Sequence, residues 1–169
     1  MPDVPRIFVD TGVLVSGICF GGLPYEILRL AAAREVKLVV SPMVLDETRR
    51  VIREEFPQHV ARLERLLQLL PHDLQSDPNP NELESNPDLV RDSKDIPIAL
   101  SAIASGADAL VSGDKDLSAG DATTSLLRSR IRVFTPVDFF REVMHWNEET
   151  IQIAGRRRWA DISGADQLA

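Results

Sequence analysis

The sequence has 169 residues, of which 44% are hydrophobic and 27% charged, with 9 glycines and 11 prolines. These values are typical of one globular domain and exclude a multidomain protein, a collagen and a disordered chain. The single cysteine, Cys19, excludes an internal disulfide and a thiolate zinc cage, and it indicates a reducing compartment. The formal net charge of −7 opposes binding to nucleic acid unless local cations or bound metal reverse it.

Neither a membrane span nor an export signal is predicted. The longest apolar run, 13–23, contains three glycines and is shorter than the roughly eighteen residues of a spanning helix. Asp3, Arg6 and Asp10 interrupt the stretch where a signal peptide would need an uncharged core. We therefore expect a cytoplasmic protein without a membrane partner.

The first half of the chain alternates strand-like and helix-like segments. The predicted elements are a strand at 6–9, a helix at 24–33, a strand at 37–40, a helix that begins after Ser41-Pro42 and a helix at 58–70. Gly12 and Gly17 follow the first strand. Segment 71–88 is rich in Pro, Asn, Asp and Ser, and it is predicted to be a surface loop that has room for one short strand.

The second half continues the alternation. Asp95 is predicted to cap a helix that ends at Gly106, strands are predicted at 109–112 and 131–134, and Pro136 opens a helix through 143. This order predicts a single α/β domain with a parallel sheet flanked by helices, at 1–144. Segment 145–169 is weakly patterned, and we expect a C-terminal extension that is either a packed helix or a flexible tail.

Acidic residues follow the predicted strands. Asp10 ends the first strand, Asp114 and Asp116 follow the strand at 109–112, Glu47 lies early in the helix after the second strand, and Asp92 and Asp95 precede the next helix. Ligands gather at the carboxyl ends of strands in open parallel sheets, so these acids can share one site. Converging carboxylates raise one another's pKa, and a divalent cation relieves this. Oxygen-only ligands select Mg²⁺ or Mn²⁺, and such a site suits phosphodiester hydrolysis.

Four sequence blocks carry a resemblance to a known family. They are Ile7 to Thr11 with Ser16, Ser41 to Glu47, Arg91 to Asp95 running on into Ile98 to Leu100, and Gly106 to Leu117. In this order they resemble the PIN domain family, and the resemblance extends from about Arg6 to Val143. Within that family, the chain looks most like the toxin components of toxin-antitoxin pairs related to VapC-type toxins.

The resemblance implies a Mg²⁺- or Mn²⁺-dependent endoribonuclease whose partners are RNA and a cognate antitoxin. It implies that Asp10, Glu47, Asp95 and Asp114 are the catalytic metal-binding acids and that Asp116 is an additional ligand. Asp92 belongs to the third block, one turn upstream of Asp95. Gly12 departs from the pattern, since the family often has Asn or Ser at this position.

Candidate substrate-binding residues lie beside these acids. Thr11, Ser112, Lys115, Arg49 and Arg50 have hydroxyl or cationic groups that can contact RNA phosphates. Arg49 and Arg50 have an alternative interpretation as a solvated helix face with pairs such as Asp46 with Arg50. Asp10, taken alone, can equally be a residue that caps the following turn.

Two other functions stay open at this stage. One is a catalytically weak binding or regulatory module that keeps the fold and acts through a protein partner. The other is a phosphatase or phospho-receiver domain, which ranks last because Asp10-Thr11-Gly12 stands where an Asp-x-Asp motif would be needed. The leucines at 63, 66, 67 and 70 belong either to the core or to an interface with an antitoxin or with a second copy in a homodimer.

Overall fold

Five parallel strands form the centre of the computed structural model, which describes residues 3–161. The strands are β1 (Arg6–Val9), β2 (Lys37–Val40), β3 (Asp73–Leu74), β4 (Ala109–Val111) and β5 (Arg132–Phe134), and their order across the sheet is β3-β2-β1-β4-β5. The central strand is apolar on both faces, with Ile7, Phe8 and Val9 fully buried. A parallel sheet has this character because helices cover both of its faces. The predicted α/β fold is therefore confirmed.

Helices connect the strands. They are α1 (Thr11–Cys19), α2 (Gly22–Ala32), α3 (Pro42–Glu55), α4 (Val60–Leu69), α5 (Pro80–Glu84), α6 (Ile96–Ala104), α7 (Lys115–Ser118), α8 (Ser125–Arg128), α9 (Pro136–Asp138) and α10 (Glu148–Arg156). The sequence did not predict α1, α5, α7 or α8. The predicted helix at 136–143 is α-helical only at its start, and a π-helix, Phe139–Val143, completes it.

The direction of the chain across the sheet reverses beside β1. From β1 the chain moves outward to β2 and β3, and it then returns to place β4 against the other side of β1. This arrangement creates a topological switch point between β1 and β4. Asp10 follows β1 and the segment from Ser112 to Asp114 follows β4, so the switch point brings these two acidic segments together.

Helices α1 and α2 pack closely at Gly17. A Cβ atom built there would lie 2.9 Å from Leu28 Cδ1 and 3.0 Å from the Pro24 carbonyl oxygen. Real Cβ atoms are essentially never as close as 2.9 Å to a neighbour, so a side chain at this crossing would force Leu28 and the backbone of Pro24 to shift. The turn between the helices, Gly21-Gly22, has positive φ angles of 89° and 67°, which glycine adopts at little cost.

The C-terminal segment packs against α1, α2 and α4. The indole of Trp159 donates from Nε1 to the Gly17 carbonyl at 3.0 Å, stacks edge-on against Tyr25, and lies under the guanidinium of Arg62. The buried carboxylate of Glu26 forms ion pairs with Arg29, at 2.6 Å, and with Arg157, at 3.5 Å. Residues 145–161 of the predicted extension thus include a packed helix, α10, whereas 162–169 lie outside the described residues.

None of the helices within residues 3–161 has the length and apolar character needed to cross a bilayer.

Candidate active site

A cleft of about 470 Å³ opens at the carboxyl ends of β1 and β4. Four carboxylates line it, from Asp10, Glu47, Asp95 and Asp114. These are the four acids that the sequence analysis assigned to catalysis, and they come from four separate segments of the chain. Val15, Val51, Ile98 and Pro136 form the apolar part of the wall. The cleft therefore combines a strongly acidic side with a hydrophobic side.

Asp10 is fixed at the base of the cleft. It caps α1, because its Oδ1 accepts a hydrogen bond from the Val13 amide at 2.9 Å, and its Oδ2 accepts one from the Ser112 hydroxyl. Only 5% of the residue is exposed. Burial raises the pKa of Asp10, and the charges of Asp114 and Glu47 raise it further, while the two hydrogen bonds oppose this rise. The capping role and a ligand role are compatible because Asp10 also lines the cleft.

Ser112 links Asp10 to Asp114. Its hydroxyl donates to Asp10 and accepts the Asp114 amide at 3.0 Å, and the residue is completely buried. The Asp114 carboxylate in turn accepts the Asp116 amide at 2.8 Å and caps α7. The geometry does not support the expectation that Ser112 contacts substrate, since its hydroxyl is enclosed and engaged. Its position orients the two acids instead.

Glu47 lies on the first turns of α3, which begins after the Ser41 cap and Pro42. The Thr11 hydroxyl donates to Glu47 Oε2 at 2.8 Å, and Arg50 Nη2 lies 3.9 Å from Oε1. Thr11 is 9% exposed, lines the cleft and holds this carboxylate, so its hydroxyl positions Glu47, and its predicted contact with substrate stays a prediction. The Glu47 side chain keeps 40% of its surface exposed and thus stays accessible from the cleft.

Asp95 stands in a second group of acids. Ligand atoms of Asp92, Asp95 and Asp116 all lie within 4.8 Å of one another. Burial, together with the neighbouring charges of Asp114, Asp92, Asp116 and Asp10, raises the pKa of Asp95 to about 7. Arg91 extends from solvent to Asp116, with Nη2 2.8 Å from Oδ1.

The predicted capping hydrogen bond of Asp95 is wrong. Asp95 occupies the cap position of α6, yet its side chain makes no capping bond, and its buried Oδ2 has no hydrogen-bond partner within the described residues. A short 3-10 turn, Ser93–Asp95, precedes the helix, and Asp92 caps that turn by accepting the Lys94 amide at 3.0 Å. The Asp95 carboxylate is therefore left to face the other acids.

The cationic residues that were predicted to contact RNA, Arg49, Arg50 and Lys115, do not share the position of the acids. Arg49 lies 3.5 Å from Asp46 on its own helix and 3.8 Å from Glu64 on α4. Arg50 lies 3.1 Å from Glu54 on α3, so both arginines take part in surface ion pairs. Lys115 is exposed on α7. In the part of the chain that the structure describes, none of these three lines the cleft. Arg91 was not among the predicted site residues; its place directly before Asp92 in the acidic third block was the available signal.

The acidic cleft fits a hard divalent cation. Its donors are carboxylate oxygens, which Mg²⁺ and Mn²⁺ prefer. Among residues 3–161 the buried Oδ2 of Asp95 has no hydrogen-bond partner, and such a buried carboxylate oxygen is costly unless a cation neutralises it. Asp92 was named in the third block but left out of the predicted ligand set, and its place beside Asp95 and Asp116 adds it to the candidates.

Comparison with known proteins assigns the family. The family described as PIN domain matches residues 6–116, which is more than half of the chain, so the protein belongs to the PIN domain family. No curated protein sequence matches it significantly.

Two solved structures resemble the fold. PAE2754 from Pyrobaculum aerophilum has a TM-score of 0.57 at 14% identity, covering 85% of this chain and 98% of that one. VapBC2 from Rickettsia felis, solved with a DNA fragment from its promoter, has a TM-score of 0.49 at 18% identity, covering 77% of this chain and 98% of that one. At 14% identity, the likeness to PAE2754 concerns the fold alone.

Proposed function

We propose that this PIN domain protein is a metal-dependent endoribonuclease that hydrolyses phosphodiester bonds in RNA. The observation that carries the proposal is the convergence of Asp10, Glu47, Asp95 and Asp114 on one cleft, where Asp95 has a buried oxygen without a hydrogen-bond partner in the described chain. Membership of the PIN domain family supports a nuclease function.

The four acids would hold one or two Mg²⁺ or Mn²⁺ ions, with Asp116 and Asp92 in support. A bound ion of this kind supplies Lewis-acid activation of water and neutralises the charge that develops on the phosphate. It also reverses the local field in a chain of net charge −7, which otherwise repels RNA.

The residues around the acids hold them in place. The Ser112 hydroxyl fixes Asp10, and the Thr11 hydroxyl fixes Glu47, so two carboxylates from different elements keep a constant orientation. Such support of ligands from the surrounding shell tunes affinity and activity, commonly by 10- to 100-fold. The apolar wall of Val51, Ile98 and Pro136 excludes water from one side of the reacting phosphate.

Arginines at the rim would meet the RNA backbone. Arg50 is 57% and Arg91 70% exposed, and each lies next to an acid of the site. Both can exchange a carboxylate partner for a phosphate, because the guanidinium fork suits either group. Arg49 and Lys115 are proposed as weaker, outlying phosphate contacts.

We test the proposal with purified protein and a mixed set of labelled single-stranded RNAs in Mn²⁺, in Mg²⁺ and in chelator. Cleavage is expected only with metal, and Asp10→Asn, Glu47→Gln and Asp114→Asn are expected to abolish it. Asp46→Asn is the matched control, since Asp46 precedes Glu47 on α3 and is 79% exposed. Cleavage that survives in the three site variants would refute the assignment.

The motif resemblance further supports a role as the toxin component of a toxin-antitoxin pair, acting in the cytoplasm with a cognate antitoxin. The leucines that left a homodimer interface open belong to the core, since Leu63, Leu66 and Leu70 are buried. Leu67 packs partly buried against them. Co-expression with the product of an adjacent gene tests the toxin role, with rescued growth as the expected result. Absence of cleavage by the folded, metal-loaded protein would instead favour a binding or regulatory module that works through a protein partner.

A further inference from the structure

Arg91 brings a positive charge to the second group of acids, Asp92, Asp95 and Asp116. Its Nη2 atom lies 2.8 Å from Asp116 Oδ1. Within residues 3–161, neither Asp92 nor Asp95 forms an ion pair, so this guanidinium is the one cation that is paired with the group. The three carboxylates have ligand atoms within 4.8 Å of one another. The protein thus neutralises part of their negative charge with a side chain of its own.

The pair between Arg91 and Asp116 is exposed and loosely held. The Arg91 side chain is 70% exposed, and Asp116 is its single ion-pair partner within the described residues. Arg50, beside Glu47, differs because it is also tied to Glu54 at 3.1 Å. An exposed ion pair contributes little to stability, since solvent screens it and ordering a long side chain costs entropy. Arg91 can therefore leave Asp116 at small cost.

A metal ion at this group would compete with Arg91 for the Asp116 carboxylate. Asp95 belongs both to this group and to the cleft, and its buried Oδ2 has no hydrogen-bond partner in the described part of the chain. The guanidinium at Asp116 leaves that oxygen unpaired, whereas a cation between the three carboxylates would neutralise it. A divalent ion and a guanidinium at neighbouring positions repel each other. Binding of the ion thus favours release of Arg91.

A released Arg91 would stay at the edge of the site, because it directly precedes Asp92 in the chain. The guanidinium fork binds phosphate oxygens as well as carboxylate oxygens, and such charge-assisted hydrogen bonds are strong. RNA that enters the cleft brings phosphates to this edge. The guanidinium is free to meet them only after its carboxylate partner has been taken by metal.

From this geometry we propose that Arg91 couples metal binding to RNA binding. Without metal, Arg91 occupies Asp116; when metal binds there, Arg91 is transferred to a phosphate of the RNA. Metal and RNA then bind cooperatively, and each raises the affinity of the other by the same factor. The inference rests on the proposed nuclease function, since it concerns the metal and the RNA of that site. A plain phosphate contact would instead strengthen RNA binding equally with and without metal.

Isothermal titration calorimetry with Mn²⁺ tests the competition in the full chain. Arg91→Gln removes the charge, and Arg91→Lys keeps it. Lys94→Gln is the matched control, because Lys94 is exposed, precedes Asp95 and forms no ion pair within residues 3–161. We expect Arg91→Gln to bind Mn²⁺ about fivefold more tightly than the wild type, and the other two variants to stay within about twofold of it. Melting temperatures in chelator check that each variant folds.

Fluorescence anisotropy with a labelled single-stranded phosphorothioate RNA tests the coupling. It is measured at low salt and in the cold, in Mn²⁺ and in chelator, and a gel confirms that the RNA stays intact. We expect Arg91→Gln to bind the RNA about tenfold more weakly than the wild type in Mn²⁺, as the loss of one charge-assisted contact implies, and within about threefold of it in chelator. Lys94→Gln should show the same small change in both conditions.

Two results would each overturn the inference. One is an Arg91→Gln protein that binds Mn²⁺ no more tightly than Lys94→Gln does. The other is an RNA affinity of Arg91→Gln that falls by the same factor with metal and without it. Either result leaves the nuclease proposal standing if the wild type binds Mn²⁺ and cleaves RNA. A wild type that binds no Mn²⁺ would refute the metal site itself, and the role of Arg91 with it.

Discussion

Replacing Asp95 with asparagine should stabilise the metal-free protein while weakening its response to metal. The pKa of Asp95 is raised from 3.8 to about 7 by burial and by neighbouring acids, so ionisation at neutral pH opposes folding. An asparagine has nearly the same shape and carries no charge. The variant thus imitates the protonated acid at every pH.

The magnitude follows from the pKa difference. At about 1.4 kcal/mol per pH unit, the rise from 3.8 to about 7 sets a ceiling of about 4 kcal/mol. Asp95 is half-buried, so solvent screening reduces the expected gain to about 1–2 kcal/mol. For a chain of this length that corresponds to a rise in melting temperature of about 2–8 °C.

The pH dependence has a definite sign. Between pH 3.8 and about 7 the unfolded state has released the Asp95 proton and the folded state still binds it, so the wild type loses stability as pH rises through this window. The advantage of Asp95→Asn should therefore be near zero below pH 4 and complete above pH 7. Thermal unfolding followed by circular dichroism at pH 4, 6 and 8, in chelator and then in Mn²⁺, measures it.

Metal should reverse the order of stability. Mn²⁺ is expected to raise the melting temperature of the wild type clearly and that of Asp95→Asn much less, because a ligand that binds only the folded state stabilises it. Asp46→Asn should follow the wild type throughout. If Asp95→Asn is no more stable than the wild type at pH 8 in chelator, the ionised Asp95 carboxylate does not destabilise the fold, and the reasoning is refuted.

Three other substitutions test the supports of the site and of the fold. Ser112→Ala removes the hydroxyl that orients Asp10, and we expect the cleavage rate in Mn²⁺ to fall about 10- to 100-fold; a rate within twofold of wild type would contradict that role. Gly17→Ala places a methyl group against Leu28, and urea unfolding should show that the free energy of unfolding falls by about 1–3 kcal/mol. An unchanged midpoint would mean that α1 and α2 are not closely packed at this position. Trp159→Phe keeps an aromatic ring but loses the hydrogen bond to Gly17, which should cost about 1 kcal/mol in the same assay.

The sequence was most informative where short apolar strands are bounded by polar residues. The strands at 6–9 and 37–40 match β1 and β2 residue for residue. Helix α1 was not predicted because it is buried on most sides, so its sequence lacks a polar face, and because Gly12 and Gly17 resemble loop residues. Helix α5 had a readable signal, since Asn79 and Glu82 form a reciprocal capping box, which the surrounding prolines and asparagines obscured.

The candidate site was predictable as a set of acids but not as a set of contacts. Strand ends and helix starts indicated which carboxylates converge, because the order of elements fixes the edge of the sheet on which they lie. The roles of Thr11 and Ser112 depend on hydrogen bonds to Glu47 and Asp10, which lie 36 and 102 residues away in the sequence, and no local pattern encodes those contacts. The same holds for the Arg91 pair with Asp116.

The docking of Trp159 has a consequence for how the chain folds during synthesis. The hydrogen bond from the Trp159 indole to Gly17 joins residues 142 positions apart. The ion pair between Glu26 and Arg157 likewise needs the C-terminal segment. Contacts of such long range form late, after loop-closure entropy has been overcome. Until the segment that carries Arg157 and Trp159 has been synthesised and has docked, α1 and α2 therefore lack part of their packing.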